Sequence, residues 1–227
     1  MNNRAISMTL LYVLAGLTLF GTLPALAQAQ KPVVVIDPAH GGEDTGCIGI
    51  DKVVEKDITL AMAKRLKQEL NSSGTCRVVL TREGDETLSV EQRKKIITDF
   101  KPAAVVSIHA NAGFGKTATG FELYYPGLGA KPSDRAKGKT EASEVKTLND
   151  TVKLAHLIRK SLDALYPKQG RGLREADVVL LEGLKVPAVV VEIGFLTTPQ
   201  DKKKVSDEKT RGSIARAMAQ AVEAYFR

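Results

Sequence analysis

Short continuous runs of apolar residues alternate along this chain with stretches in which apolar residues recur every three or four positions. Continuous runs read as strands buried on both faces, and a period of about 3.6 reads as amphipathic helix. Residues 33–36 (VVVI) form such a run. Asp37-Pro38 breaks it, so that His40 falls at the strand's C-terminal end beside Gly41 and Gly42. Glu55 opens a helix with the stripe Ile58, Met62, Leu66 and Leu70, closed by the sequence from Asn71 to Gly74. Residues 77–81 (RVVLT) predict a second strand. The run from Ser89 to Gln92 has the form of a capping box, opening a helix that turns Val90, Ile96, Ile97 and Phe100 inward and stops at Pro102.

Residues 103–108 (AAVVSI) predict a third strand ending at His109, and residues 120–125 (GFELYY) a fourth. The stretch 126–146 is polar and lysine-rich, has no amphipathic period and predicts a long connection. A helix follows with Leu148, Val152, Ala155, Ile158, Leu162 and Leu165 on one face. Residues 177–181 and 188–193 (AVVVEI) predict the fifth and sixth strands, and 207–226 a last helix with Ile214, Met218, Val222 and Tyr225 inward. Strands interleaved with helices predict an α/β fold, a three-layer αβα sandwich on a mixed, mostly parallel sheet of about six strands.

The first residues break this alternation. Arg4 is followed by an apolar stretch over 6–23, and Pro24-Ala25-Leu26-Ala27-Gln28-Ala29 then offers small residues where a signal peptidase reads. Residues 1–29 are therefore expected to be a signal peptide, cleaved after Ala27 or Ala29, and residues 30–227 a single exported domain, periplasmic or extracellular at the cell wall, without a stable membrane anchor. An uncleaved anchor is the alternative, because the apolar stretch is near the lower length limit for a membrane span.

Without Arg4 the chain keeps 32 basic against 26 acidic residues, net +6. Such a charge suits an anionic surface such as a cell wall. Few aromatics, no nucleic-acid motif and the export signal argue against nucleic acid. Cys47 and Cys76 lack metal-knuckle or redox spacing. A disulfide closing their loop, with a contribution of roughly 3 to 4 kcal/mol, and two separate buried thiols both remain open.

Two of the three histidines, His40 and His109, end parallel apolar runs, and Glu55 opens the helix that follows the His40 loop. Two imidazoles and a carboxylate are donors of the kind that hold a catalytic zinc with one position open. The same set also suits a non-haem iron oxygenase. An exported chain with an additional acid fits hydrolysis better. That acid is Glu192, which interrupts a run predicted to be buried and must be paired, protonated or turned to a polar cleft. His156 shares a helix face with Asn149, Lys153, Lys160 and Asp163 and should be solvated. Arg82 and Arg93 are expected to form salt bridges.

The segments from Val35 to Gly42 (VIDPAHGG), Glu55, Ser107 to Ala112 (SIHANA) and Val191 to Leu196 (VEIGFL), in this order, resemble the N-acetylmuramoyl-L-alanine amidases of the AmiC type, the amidase 3 family. The resemblance implies a zinc enzyme acting on peptidoglycan, which cuts the amide between N-acetylmuramic acid and the L-alanine of the stem peptide. It implies His40, Glu55 and His109 as zinc ligands and Glu192 as catalytic acid and base. Ala39 stands where the family usually has glycine, and Thr197-Thr198 where it tends to have Ser-Asn. Some relatives carry a helix that covers the zinc until a protein activator displaces it, and 126–146 is the place for a short version, with Glu141 or Glu144 reaching the metal. The alternatives are a zinc peptidase cutting within the stem peptide and a catalytically silent wall-binding or regulatory protein of the same fold. The molecule is expected to be a monomer.

Overall fold

The first apolar run becomes β1 (Val33–Pro38), in which Val34, Val35 and Ile36 are fully buried. The structure, a computed structural model, describes residues 30–115, 117–127 and 142–227. The expected signal peptide and most of the 126–146 connection, Glu141 included, lie outside the described residues. No helix among the described residues is long and apolar enough to cross a membrane.

From β1 the chain passes through α1 (Glu55–Ser73) to β2 (Arg77–Leu80), then through α2 (Val90–Phe100) to β3 (Ala104–Asn111) and β4 (Phe121–Tyr125). It continues through α3 (Ala142–Asp163), β5 (Gly170–Glu175), β6 (Ala188–Phe195), α4 (Pro199–Ser206) and α5 (Glu208–Tyr225). The strands form one sheet in the order β2-β1-β3-β6-β4-β5. The pairs β2–β1, β1–β3 and β3–β6 are parallel, β4 runs antiparallel to β6, and β5 lies parallel to β4. The chain leaves β1 toward β2 on one side and returns to β3 on the other. The crevice at the C-terminal ends of β1 and β3 is thus a topological switch point, the usual place for a ligand in such a sheet.

The two faces of the sheet are covered unequally. On one, Ile36, Val106, Ile108 and Val191 pack against Met62 and Leu66 of α1, Leu154 and Ile158 of α3, and Met218 and Val222 of α5. On the other, Val35, Val105 and Val190 meet Ile97 of α2 together with Leu180 and Leu181. The predicted sandwich is therefore present with a thin second layer. Local chemistry fixes the helix ends. Ser89 accepts from the Gln92 amide while Gln92 accepts from the Ser89 amide, completing the capping box. Gly74, with φ of 67°, closes α1 in the left-handed region that favours glycine.

Several expectations are corrected. Residues 177–181 are not a strand. They form turns in which Leu181 and Glu182 donate to the Val178 carbonyl, and Leu180 and Leu181 bury their side chains against the thin layer. The fifth strand is 170–175, whose pattern Gly-Arg-Gly-Leu-Arg-Glu lacks an apolar run because it is an edge strand paired only to β4. Helix α3 begins at Ala142, within the expected connection, and α4 was not anticipated. Leu165 lies beyond α3 and is exposed, as is Phe100, whose ring lies under the Arg77 guanidinium. Cys47 and Cys76 are both free thiols, and Cys47 Sγ donates to the Ala110 carbonyl at 3.3 Å. His156 is exposed, as its helix face implied.

Candidate active site

His40 follows β1 by two residues, and its position is held from behind by buried arginines. Asp37 accepts from Thr81 of the β2 end at 2.6 Å, from Arg93 of α2 at 2.7 Å and from Ser107 of β3 at 2.8 Å. Arg93 also donates to the Pro38 and His40 carbonyls at 2.9 and 2.5 Å. This buried pair is the salt bridge expected of Arg93. Arg82 differs, since its guanidinium donates to the carbonyls of Pro38, Ala39, Lys56 and Gly84 at 2.8 to 3.0 Å and pairs with no carboxylate among the described residues. Five donors in a planar fork suit a loop whose carbonyls would otherwise be buried without partners.

The backbone turns at His40 itself, with φ of 63°. Ala39 does not need the left-handed region, and its buried methyl is accommodated. Gly46, with φ of 64°, does need to be glycine. A Cβ there would stand 2.6 Å from both Glu55 Oε2 and the His40 ring.

Glu55 is the first residue of α1, where the free amides of a helix start favour a carboxylate. Its Oε2 lies 3.1 Å from His40 Nε2 and accepts from the Cys47 amide at 2.9 Å. Its Oε1 lies 3.1 Å from His109 Nδ1 and accepts from the Ala110 amide at 3.1 Å. One donor atom from each of His40, Glu55 and His109 lies within 4.8 Å of the others. Burial works against the charged carboxyl of Glu55, but the bonds from His109, His40 and the Cys47 amide outweigh it and hold its pKa far below the usual range. Burial likewise opposes a charged His40, and Glu55 and Asp44 overcome it, raising the pKa to about 9. Asp44 Oδ2 sits 2.8 Å from His40 Nδ1, which leaves Nε2 directed at Glu55.

Glu192 lies opposite His109 in the β3–β6 register and opposite Glu122 in the β4–β6 pair. Its Oε2 is buried without a hydrogen-bond partner among the described residues. Burial pushes its pKa up to about 7; His109 opposes the shift, and the nearby Glu55 and Glu122 carboxylates reinforce it. Strand alternation puts Glu192, Glu122 and His109 on the face that α2 covers only in part.

All four residues selected from the sequence therefore converge at the switch point. Asp44 and Glu122 were not selected. Glu122 carries the same signal as Glu192, a charge inside an otherwise apolar strand, whereas Asp44 lies in a glycine-rich loop with no pattern to mark it. Thr197 exchanges hydrogen bonds with the Gly113 amide and carbonyl at 2.9 and 3.2 Å, and Thr198 donates to the Ala118 carbonyl. These two threonines tie the turn after β6 to the loop after β3.

A mixed α/β sheet with two imidazoles and a carboxylate gathered at its switch point has donors that could hold a metal ion. Residues 34–224 match the family described as N-acetylmuramoyl-L-alanine amidase, and the chain belongs to that family. It is 28% identical to the N-acetylmuramoyl-L-alanine amidase AmiA of Escherichia coli (strain K12), over 94% of this chain and 89% of that protein. It is 29% identical to the amidase LytC of Bacillus subtilis (strain 168), over 94% of this chain but only 41% of LytC. Among solved structures, an N-acetylmuramoyl-L-alanine amidase from Clostridium difficile 630 superposes with a TM-score of 0.72 at 32% identity, covering 87% of this chain and 97% of that one.

Proposed function

We propose that this chain is a zinc-dependent N-acetylmuramoyl-L-alanine amidase, exported by the 1–29 signal peptide and acting on peptidoglycan in the periplasm or cell wall. Family membership supports the amide bond cut. The observation that carries the chemistry is Glu192, a half-buried carboxyl whose buried Oε2 has no hydrogen-bond partner among the described residues, in register with one of three clustered candidate metal donors.

The donor set fits zinc. Two imidazoles and a carboxylate, with one donor atom from each within 4.8 Å of the others, are the donor types that hold zinc. His40 Nε2, Glu55 and His109 Nδ1 would hold the ion, which would polarise the scissile carbonyl and acidify an attacking water. To hold an ion, His40 would have to give up the proton that Glu55 and Asp44 favour on it. Glu192, with a pKa near neutrality, takes the proton of the attacking water. As the carbon–nitrogen bond breaks, Glu192 returns that proton to the leaving L-alanine amine. Water is added across the amide, giving the lactyl carboxylate and a free stem peptide.

A protein activator is part of the proposal. CwlD of Clostridioides difficile, solved in complex with the GerS lipoprotein, covers 86% of this chain with a TM-score of 0.72.

The deciding experiment incubates purified protein with peptidoglycan, with and without a chelator, and weighs the fragments. Intact stem peptides with a free L-alanine amine, released only without chelator, are the expected outcome. Cleavage between amino acids would make the protein a peptidase, and no release even with added zinc and candidate activators would make it a binding protein.

A further inference from the structure

Glu122 joins the candidate active site to the edge of the sheet. Its Oε2 accepts from Asn111 Nδ2 at 2.9 Å and from the Tyr124 hydroxyl at 2.6 Å. Its Oε1 accepts from Arg171 Nε at 2.7 Å, and Arg174 Nη1 stands 3.9 Å away. Two guanidinium groups on β5 thus share one carboxylate. Arg171 is also held across its plane, with Cζ 5.3 Å from the centre of the Phe195 ring. Neither Nη of Arg171 meets an acceptor among the described residues, and 42% of its side chain is exposed. A planar cation fixed by its inner nitrogen, with both outer nitrogens free, has the form that takes a carboxylate through two parallel bonds.

We infer that Arg171, braced by Glu122 and backed by Arg174, binds a carboxylate on the peptide side of the scissile amide and so selects which stem peptides are cut. The inference rests on the amidase reading above. β6, β4 and β5 are successive strands, so Arg171 lies two strand spacings, roughly 10 Å, from the row that carries Glu192. The stem residue after L-alanine is a glutamate joined through its side chain, whose α-carboxyl is either free or amidated. An extended residue spans about 3.5 Å, which brings that carboxyl within about 10 Å of the scissile amide. A free α-carboxylate would meet the guanidinium fork, whereas an α-amide would set N–H donors against it.

The test measures calorimetric binding of muramyl-L-alanyl-γ-D-glutamate and of its α-amide to full-length, chelator-treated protein. The wild type should prefer the acid by about tenfold, the size of one charge-assisted pair. Arg171→Gln and Arg171→Lys should both lose that preference through weaker binding of the acid, with the amide little changed. Lysine keeps a cation opposite Glu122 and carries the comparison if Arg171→Gln does not fold. A wild type that does not prefer the acid, or a preference that survives in both variants, overturns the assignment. Turnover by zinc-loaded wild type reports on the amidase reading separately. Preferential binding of the acid without release of L-alanyl peptide would remove the amidase and keep the subsite; equal cleavage of acid and amide would do the reverse.

Discussion

Glu192 and Glu122 face each other across the β4–β6 pair, yet their surroundings push them in opposite directions. Burial disfavours the charge on both, but Tyr124 and Arg171 pull the Glu122 pKa below its ordinary value, while Glu192 rises to about 7. A carboxyl whose folded pKa lies above its unfolded one costs stability once pH passes the unfolded value of 4.5, and the cost is complete above about 7. Metal-free Glu192→Gln should therefore match the wild type near pH 4 and exceed it by about 2 to 3 kcal/mol above neutrality, as read by urea titration at a series of pH values. The same variant should keep its zinc and lose at least about a hundredfold in turnover; an undiminished rate would remove Glu192 from the mechanism. Asp44 orients His40 through Nδ1, so Asp44→Ala should weaken zinc binding by roughly 10- to 100-fold in a competition titration with a chromophoric chelator. The difference between the two acids is not written in composition or period. It comes from Arg171 and Tyr124, partners that only the folded sheet supplies.

At the scale of elements, β1, β3 and β6 were legible because strands in the interior of a sheet must be apolar on both faces, and β2, though at an edge, because Val78 and Leu80 are buried in the main core while Val79 packs on the thin layer. Glu55 and the two histidines were legible with them, since the histidines stand at the C-terminal ends of β1 and β3 and Glu55 opens α1. β5 was not legible, because an edge strand with solvent nearby needs no apolar pattern. The apolar run 177–181 misled for the converse reason: burial in the thin layer can be met by turns as well as by a strand. In α2 the buried residues are Arg93 and Ile97, so the helix is held largely by its ion pair to Asp37. Arg93→Met should cost about 3 to 5 kcal/mol in chemical denaturation, because it leaves Asp37 buried without its charge partner. Ser89→Ala removes only a cap and should cost about 1 kcal/mol. Similar losses for the two would show that the ion pair is not what holds α2.

For the molecule as a whole, the donors stand on three separate elements, with Glu55 and His109 54 positions apart. An ion that binds them binds only the folded chain and stabilises it by mass action. At free zinc about a thousandfold above its dissociation constant the gain is about 4 kcal/mol, which should raise the melting temperature by roughly 10 °C over chelator-treated protein in calorimetry. A melting temperature indifferent to zinc would argue that the cluster holds no ion. The dispersal of the donors also sets an order of events. In an unfolded chain the two imidazoles and the carboxylate are dispersed, so the three-donor site that would hold the ion forms only on folding. On the proposed function, the chain would have to take up zinc where it folds, and the supply of metal in that compartment would set how many folded molecules become active.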